Sequence, residues 1–102
     1  MNVRVLDPAE DDLRHAARRL ESERSGIGWE LIASFREAME QVERFPRFYP
    51  LVDDPLPILE VRQALLGRFR YRAVFVVSES ETVVIAICHT SRRPGSWHDR
   101  IA

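Results

Sequence analysis

The chain of 102 residues has no lysine; its 15 basic residues are all arginine. Lysine chemistry, whether a Schiff base or an amine general base, is thereby excluded. What remains are cations that keep their proton and present a planar fork to carboxylate or phosphate. A single cysteine, Cys88, excludes an internal disulfide and fits a reducing cytoplasm, the compartment expected for this chain. Cys88 lies in the apolar run Val83–Cys88, where a thiol acts as a small hydrophobe rather than a nucleophile. No apolar run approaches the ~20 residues of a membrane span. The opening Met1-Asn2-Val3-Arg4 lacks the layout of a secretory signal. Only four glycines occur, in neither a phosphate loop nor a dinucleotide fingerprint. His89 and His98 lack the paired spacing of a zinc site and have no second cysteine to join them, so no metal and no cofactor is expected.

Charge is present but unevenly spread. The net charge of -1 hides an acidic first half and a basic second half: residues 1–54 carry 12 acids and 8 arginines, residues 55–102 carry 4 acids and 7 arginines. The length suits one domain spanning 1–102, with a modest core.

Apolar periodicity divides the chain into six elements. Met1–Leu6 alternates and reads as a strand at or near a sheet edge. Asp7-Pro8-Ala9-Glu10 opens a helix, with Asp7 as N-cap, Pro8 in the first turn and Glu10 as capping-box partner. Ala9, Leu13, Ala16, Ala17 and Leu20 form its apolar stripe; His15 falls off it and reads as solvated. Ser25-Gly26 ends this helix, glycine being suited to a left-handed backbone. A second helix runs with Leu31, Phe35, Ala38, Val42 and Phe45 on one face and stops before Pro46. The short link makes the two an antiparallel hairpin.

Pro46–Pro57 reads as a loop pinned to the core by Phe48, Tyr49 and Leu51. Three strands follow: Ile58–Leu66, Phe69–Val77 and Thr82–His89, joined by turns at Gly67-Arg68 and Ser78–Ser80. In the last, Val83, Ile85 and Ile87 alternate with Val84, Ala86 and Cys88. Apolar side chains on both faces mark it as central. The order βααβββ predicts an α+β fold, an antiparallel-rich sheet with an αα-hairpin on one face.

The candidate site gathers at the end of the central strand, in His89–Arg100. If the helices cover the face carrying Tyr71 and Phe75, then Arg62, Arg72, Arg92 and Arg93 are expected to converge on the other, open face. Such a face suits phosphate or an acidic protein segment. The acid–base candidates are Glu60, Tyr71, His89 and His98, with His89 best placed because it ends the central strand and histidine is the residue type suited to proton transfer near neutrality. Ser91, His98 and Asp99 lack the strand–turn–helix elbow of a hydrolase triad.

The ordered set Pro8-Ala9-Glu10-Asp11-Asp12-Leu13, Phe45-Pro46-Arg47-Phe48-Tyr49-Pro50, Val61-Arg62-Gln63-Ala64-Leu65-Leu66, Phe69-Arg70-Tyr71-Arg72-Ala73-Val74-Phe75 and Val84 through Trp97 resembles the RelE/ParE superfamily of type II toxin–antitoxin toxins, especially plasmid-stabilisation proteins. The resemblance covers nearly the whole chain. It implies a growth-inhibiting toxin of βααβββ fold, neutralised by a cognate antitoxin in a hetero-oligomer. ParE-like members bind DNA gyrase; RelE-like members cut mRNA on the ribosome with basic residues and a phenol. On the RelE pattern Arg72, Arg93 and Arg62 match basic positions, and Trp97 stands at the catalytic tyrosine position. An indole donates a hydrogen bond but moves no proton, so His89 or Glu60 must substitute in any cleavage. A binding role is therefore expected for Arg62, Arg92, Arg93, Trp97 and Arg100, with Trp97 otherwise packed back on the helices. A ParE-like action is favoured, RNA cleavage is the alternative, and a non-toxic interaction domain is the third reading.

Overall fold

The computed structural model describes residues 2–52, 59–92 and 95–101. They form β1 (Asn2–Val5), α1 (Asp7–Glu23), α2 (Ile27–Arg44), β2 (Glu60–Leu65), β3 (Tyr71–Val77) and β4 (Glu81–His89), with short 3-10 helices at Pro46–Phe48 and His98–Arg100. This is the α+β, βααβββ order read from the sequence. The sheet order is β1-β4-β3-β2. β1 runs parallel to β4, and the other pairs are antiparallel. The strands that are apolar on both faces, β3 and β4, are the interior ones, shielded from water on either side.

The αα-hairpin turns in very few residues because Gly26 takes a φ of 90°, a conformation that side chains disfavour. The Glu21 carboxylate then accepts from the Gly26 and Gly28 N–H groups at 2.8 and 3.0 Å, satisfying donors at the start of α2. Gly28 also marks a close helix contact: a Cβ there would meet the Ala17 carbonyl oxygen at 2.6 Å. The start of α1 differs from the sequence expectation. Leu6, not Asp7, occupies the N-cap position, and no side chain caps it among the described residues. The reason is the single-residue link from β1. The Leu6 N–H donates to the Val84 carbonyl and its own carbonyl accepts from the Glu10 N–H, both at 3.0 Å. Asp7 is thus already in the first turn, where its charge suits the helix dipole.

Apolar side chains gather on both sides of the sheet. Leu31, Val42, Tyr71, Phe75, Val77, Val84 and Ile87 belong to the core beneath the helices. Val61, Val74, Ile85, Ala86, Cys88 and Trp97 form a second cluster on the opposite face. The expected alternation along β4 fails at one place. Val74 pairs with Ala86 while Phe75 pairs with Val84, so Ile85 is the extra residue of a β-bulge. Ile85 and Ala86 consequently face the same way, and Val84 and Ile87 face the helices.

The stretch after α2 is pinned only in part. Tyr49 meets Phe75 edge-on at 6.0 Å between centroids. Phe48 and Leu51 are exposed, as is Phe45, which the helical period places on the buried face. The Gln63 N–H donates to the Pro50 carbonyl at 3.1 Å and the Val52 N–H to the Val61 carbonyl at 2.8 Å, so this segment runs along β2. Residues 53–58, including the expected start of a strand at Ile58, lie outside the described residues.

Candidate functional site

β1 ends at Val5, opposite Val84, and among the described residues the rest of β4 has no strand neighbour on that side. Side chains take over. Asp12 accepts from the Ile87 N–H at 3.0 Å, and Arg100 donates to the Ile85 carbonyl at 2.9 Å. The two side chains also pair with each other through bonds of 2.5 and 3.0 Å. Both partners are partly buried, so losing either would leave the other's charge in a partly desolvated place without its partner. Arg100, expected as a binding residue, is therefore a clasp between α1, β4 and the last 3-10 helix.

Beside the clasp, a cleft of about 150 Å³ opens between α1 and the end of β4. α1 lines it with Asp12, His15 and Arg19, whose spacings of three and four share one helix face. β3 contributes Tyr71, the register partner of His89. The two rings meet edge-on at 5.2 Å. The chain then turns sharply. The Arg92 N–H donates to the His89 carbonyl at 2.9 Å, and the Thr90 N–H to the Arg70 carbonyl at 2.8 Å. This turn brings Arg92 to the cleft wall. The Ser91 N–H donates to His89 Nδ1 at 3.1 Å, and the Ser91 hydroxyl lies 2.7 Å from the same nitrogen. With Nδ1 accepting, the neutral imidazole carries its proton on Nε2.

Of the residues singled out in the sequence, His89, Arg92 and Tyr71 come together here. The others do not. Arg62 pairs in register with Phe75 and so stands on the helix side. Arg72, paired with Leu65 and Cys88, stands on the opposite face. The expected convergence of Arg62, Arg72, Arg92 and Arg93 on one open face therefore does not form, and Arg93 lies outside the described residues.

Arg62 is occupied. It donates to the Tyr49 carbonyl at 2.5 Å, the Arg47 carbonyl at 3.3 Å and the Glu60 carboxylate at 2.8 Å. Arg47 joins the same carboxylate at 3.0 Å. Burial pushes the Glu60 carboxyl up, but hydrogen bonds from Arg62 and Arg47 outweigh it and hold the group below the usual carboxylate range. A carboxylate so held is a weakened proton acceptor. Arg72 donates to the Gln63 side-chain oxygen, and its buried Nε finds no partner among the described residues.

Trp97 is 1% exposed and packs on the sheet, on the face away from the helices rather than against them. Its indole N–H has no partner among the described residues, and His98 lies edge-on to it at 4.5 Å. An indole so enclosed is an anchor, not a contact surface. Among the described residues no three His, Cys, Asp or Glu side chains gather as a metal site, and no helix is long and apolar enough to cross a membrane.

His15 and Arg19 escape the sequence reading because each is exposed on α1 and off its apolar stripe. The available signal was the 12-15-19 spacing, which aligns an acid, an imidazole and a guanidinium on one face.

A family model described as the ParE toxin of the type II toxin-antitoxin system, parDE, matches residues 3–94. The chain belongs to the ParE toxin family. This ParE-family toxin resembles a solved chain of the chromosomal ParDE TA system from P. aeruginosa, with a TM-score of 0.73 and 17% identity, over 87% of this chain and 95% of that one. At that identity the likeness is one of fold. No curated protein matches the sequence. The family match ends at Pro94, so Trp97 and the Arg100 clasp lie beyond it.

Proposed function

We propose that this type II toxin is neutralised by a cognate antitoxin and inhibits growth by binding a protein target in the cytoplasm, DNA gyrase, rather than by cutting mRNA. The observation that carries this reading is the dispersal of the residues that cleavage would require. Arg72 stands on one sheet face and His89 on the other side, while Arg62 and Glu60 are spent on each other and on the segment before β2. In-line transfer at a phosphate needs a base and charge-stabilising donors within about 3 Å of one reacting centre, and Arg62, Arg72, Glu60 and His89, the residues that the cleavage reading assigns, do not meet at one centre among the described residues. Antitoxin binding is supported by two features: the ParDE TA system to which the structural neighbour belongs, and the arginine excess of residues 55–102, which complements an acidic partner.

The test is a gyrase supercoiling assay with the purified chain, alone and with the product of the adjacent reading frame. Supercoiling should be inhibited by the chain and restored by the neighbour, while translated mRNA stays intact in primer extension. Unaffected gyrase together with cut messages would overturn the reading in favour of the ribosomal nuclease. Normal growth on induction without antitoxin would instead favour a non-toxic interaction domain.

A further inference from the structure

We propose that the cleft between α1 and the end of β4 binds a phosphate oxyanion, either inorganic phosphate or the terminal phosphate of a small ligand. Arg19 approaches from the helix wall and Arg92 from the turn after β4. Neither guanidinium has an ion pair among the described residues, although both are charged and line the same small space. Among the described residues Asp12 is the one acid in the lining, and it is already paired with Arg100 and hydrogen-bonded by the Ile87 N–H. The cleft therefore carries two uncompensated positive charges, the complement of a dianion.

Further donors surround them. The His89 tautomer set by Ser91 leaves an Nε2–H donor. The Tyr71 hydroxyl makes no hydrogen bond within the described residues. His15 adds a second imidazole on the helix wall. Donors on several sides suit a tetrahedral oxyanion, which offers more acceptor directions than a planar carboxylate. Among the described residues the apolar lining is Ala16 and Ile87, and a cleft of about 150 Å³ is too small to seat a peptide segment. The proposal is independent of the gyrase reading, because the cleft requires no protein target.

Proton NMR of the three histidines in the full chain tests it, with phosphate titrated at fixed pH and ionic strength. The His15 and His89 ring signals should shift saturably, and the His98 signals, on the opposite sheet face against Trp97, should not. Arg19→Gln and Arg92→Gln should each weaken binding about tenfold or more, the usual effect of losing a charge-assisted hydrogen bond. Arg36→Gln, in a separate groove, should leave it unchanged. Both arginine sites in the cleft are exposed, so these variants should keep the wild-type melting temperature. A nucleoside 5′-monophosphate forms the second arm: tighter binding than inorganic phosphate identifies a phosphate monoester ligand, and equal binding identifies the free anion. No saturable shift at His15 and His89, or equal weakening by Arg36→Gln, would overturn the proposal. So would a glutamate-rich peptide that shifts these signals when phosphate does not.

Discussion

Glu60 lies between Arg62 and Arg47, with closest contacts of 2.8 and 3.0 Å. Burial alone would raise its pKa; the hydrogen bonds from the two arginines reverse the direction and lower it. In the unfolded chain those partners are absent and the ordinary value of about 4.3 returns. Between the folded and unfolded values the unfolded state binds more protons, so stability rises with pH across that window. The contribution is complete above the ordinary glutamate pKa and disappears as pH falls through the lower folded value. Glu60→Gln should therefore be less stable than wild type near neutrality, with the gap closing in acid. Urea denaturation at about pH 7 and about pH 3 measures both, and a gap that stays constant would contradict the assignment. Glu60 and Arg62 stand out in the sequence as single candidates, but neither their pairing with Arg47 nor their side of the sheet does. Hairpin arithmetic could have given the side. A turn at Gly67-Arg68 pairs Arg62 with an odd-numbered residue of β3, hence with the Tyr71 and Phe75 face. A charged side chain on the helix-covered side runs against hydrophobic patterning, and only the three acceptors waiting there explain it.

The αα-hairpin was legible as an element because its stripes and its Gly26 turn are local signals. The tightness of its packing was not, since no sequence period distinguishes a packing glycine from a turn glycine. Gly28→Ala would force a Cβ to within 2.6 Å of the Ala17 backbone oxygen, which cannot swing aside as a side chain would. The expected cost is about 1–3 kcal/mol, typical of overpacking, despite alanine's better helix propensity. Thermal or chemical denaturation decides the sign; a stabilised variant would mean that the helices part easily. The bulge in β4 was equally hidden. Alternation is unbroken in the residue string Val83–Cys88, because both faces are apolar and a one-residue shift changes no polarity. Its effect reaches the site, since the two backbone groups taken by Asp12 and Arg100 belong to Ile85 and Ile87.

Over the whole molecule, the architecture followed from element order and from the doubly apolar strands, whereas the cleft depended on contacts between distant segments. Its walls come from α1, β3 and the turn after β4, and helical spacing alone does not say which exposed face of α1 meets them. The parallel pairing of β1 with β4 has a kinetic meaning as well. The αα-hairpin and the β2–β3–β4 meander join neighbours in sequence. β1, by contrast, brings Asn2–Val5 to Glu81–Val84, across most of the chain. Closing so long a loop costs entropy before any contact rewards it. β1 should therefore dock after the rate-limiting step, onto a meander already formed. Val5→Ala should speed unfolding and leave the refolding rate nearly unchanged in stopped-flow chevrons, the pattern of a low φ-value. Refolding slowed in proportion to the lost stability would put the strand in the nucleus instead. If it docks late, β1 is also the first strand to leave: its brief departures would bare the Val83 and Val84 edge of β4 to solvent while the rest of the sheet stays folded.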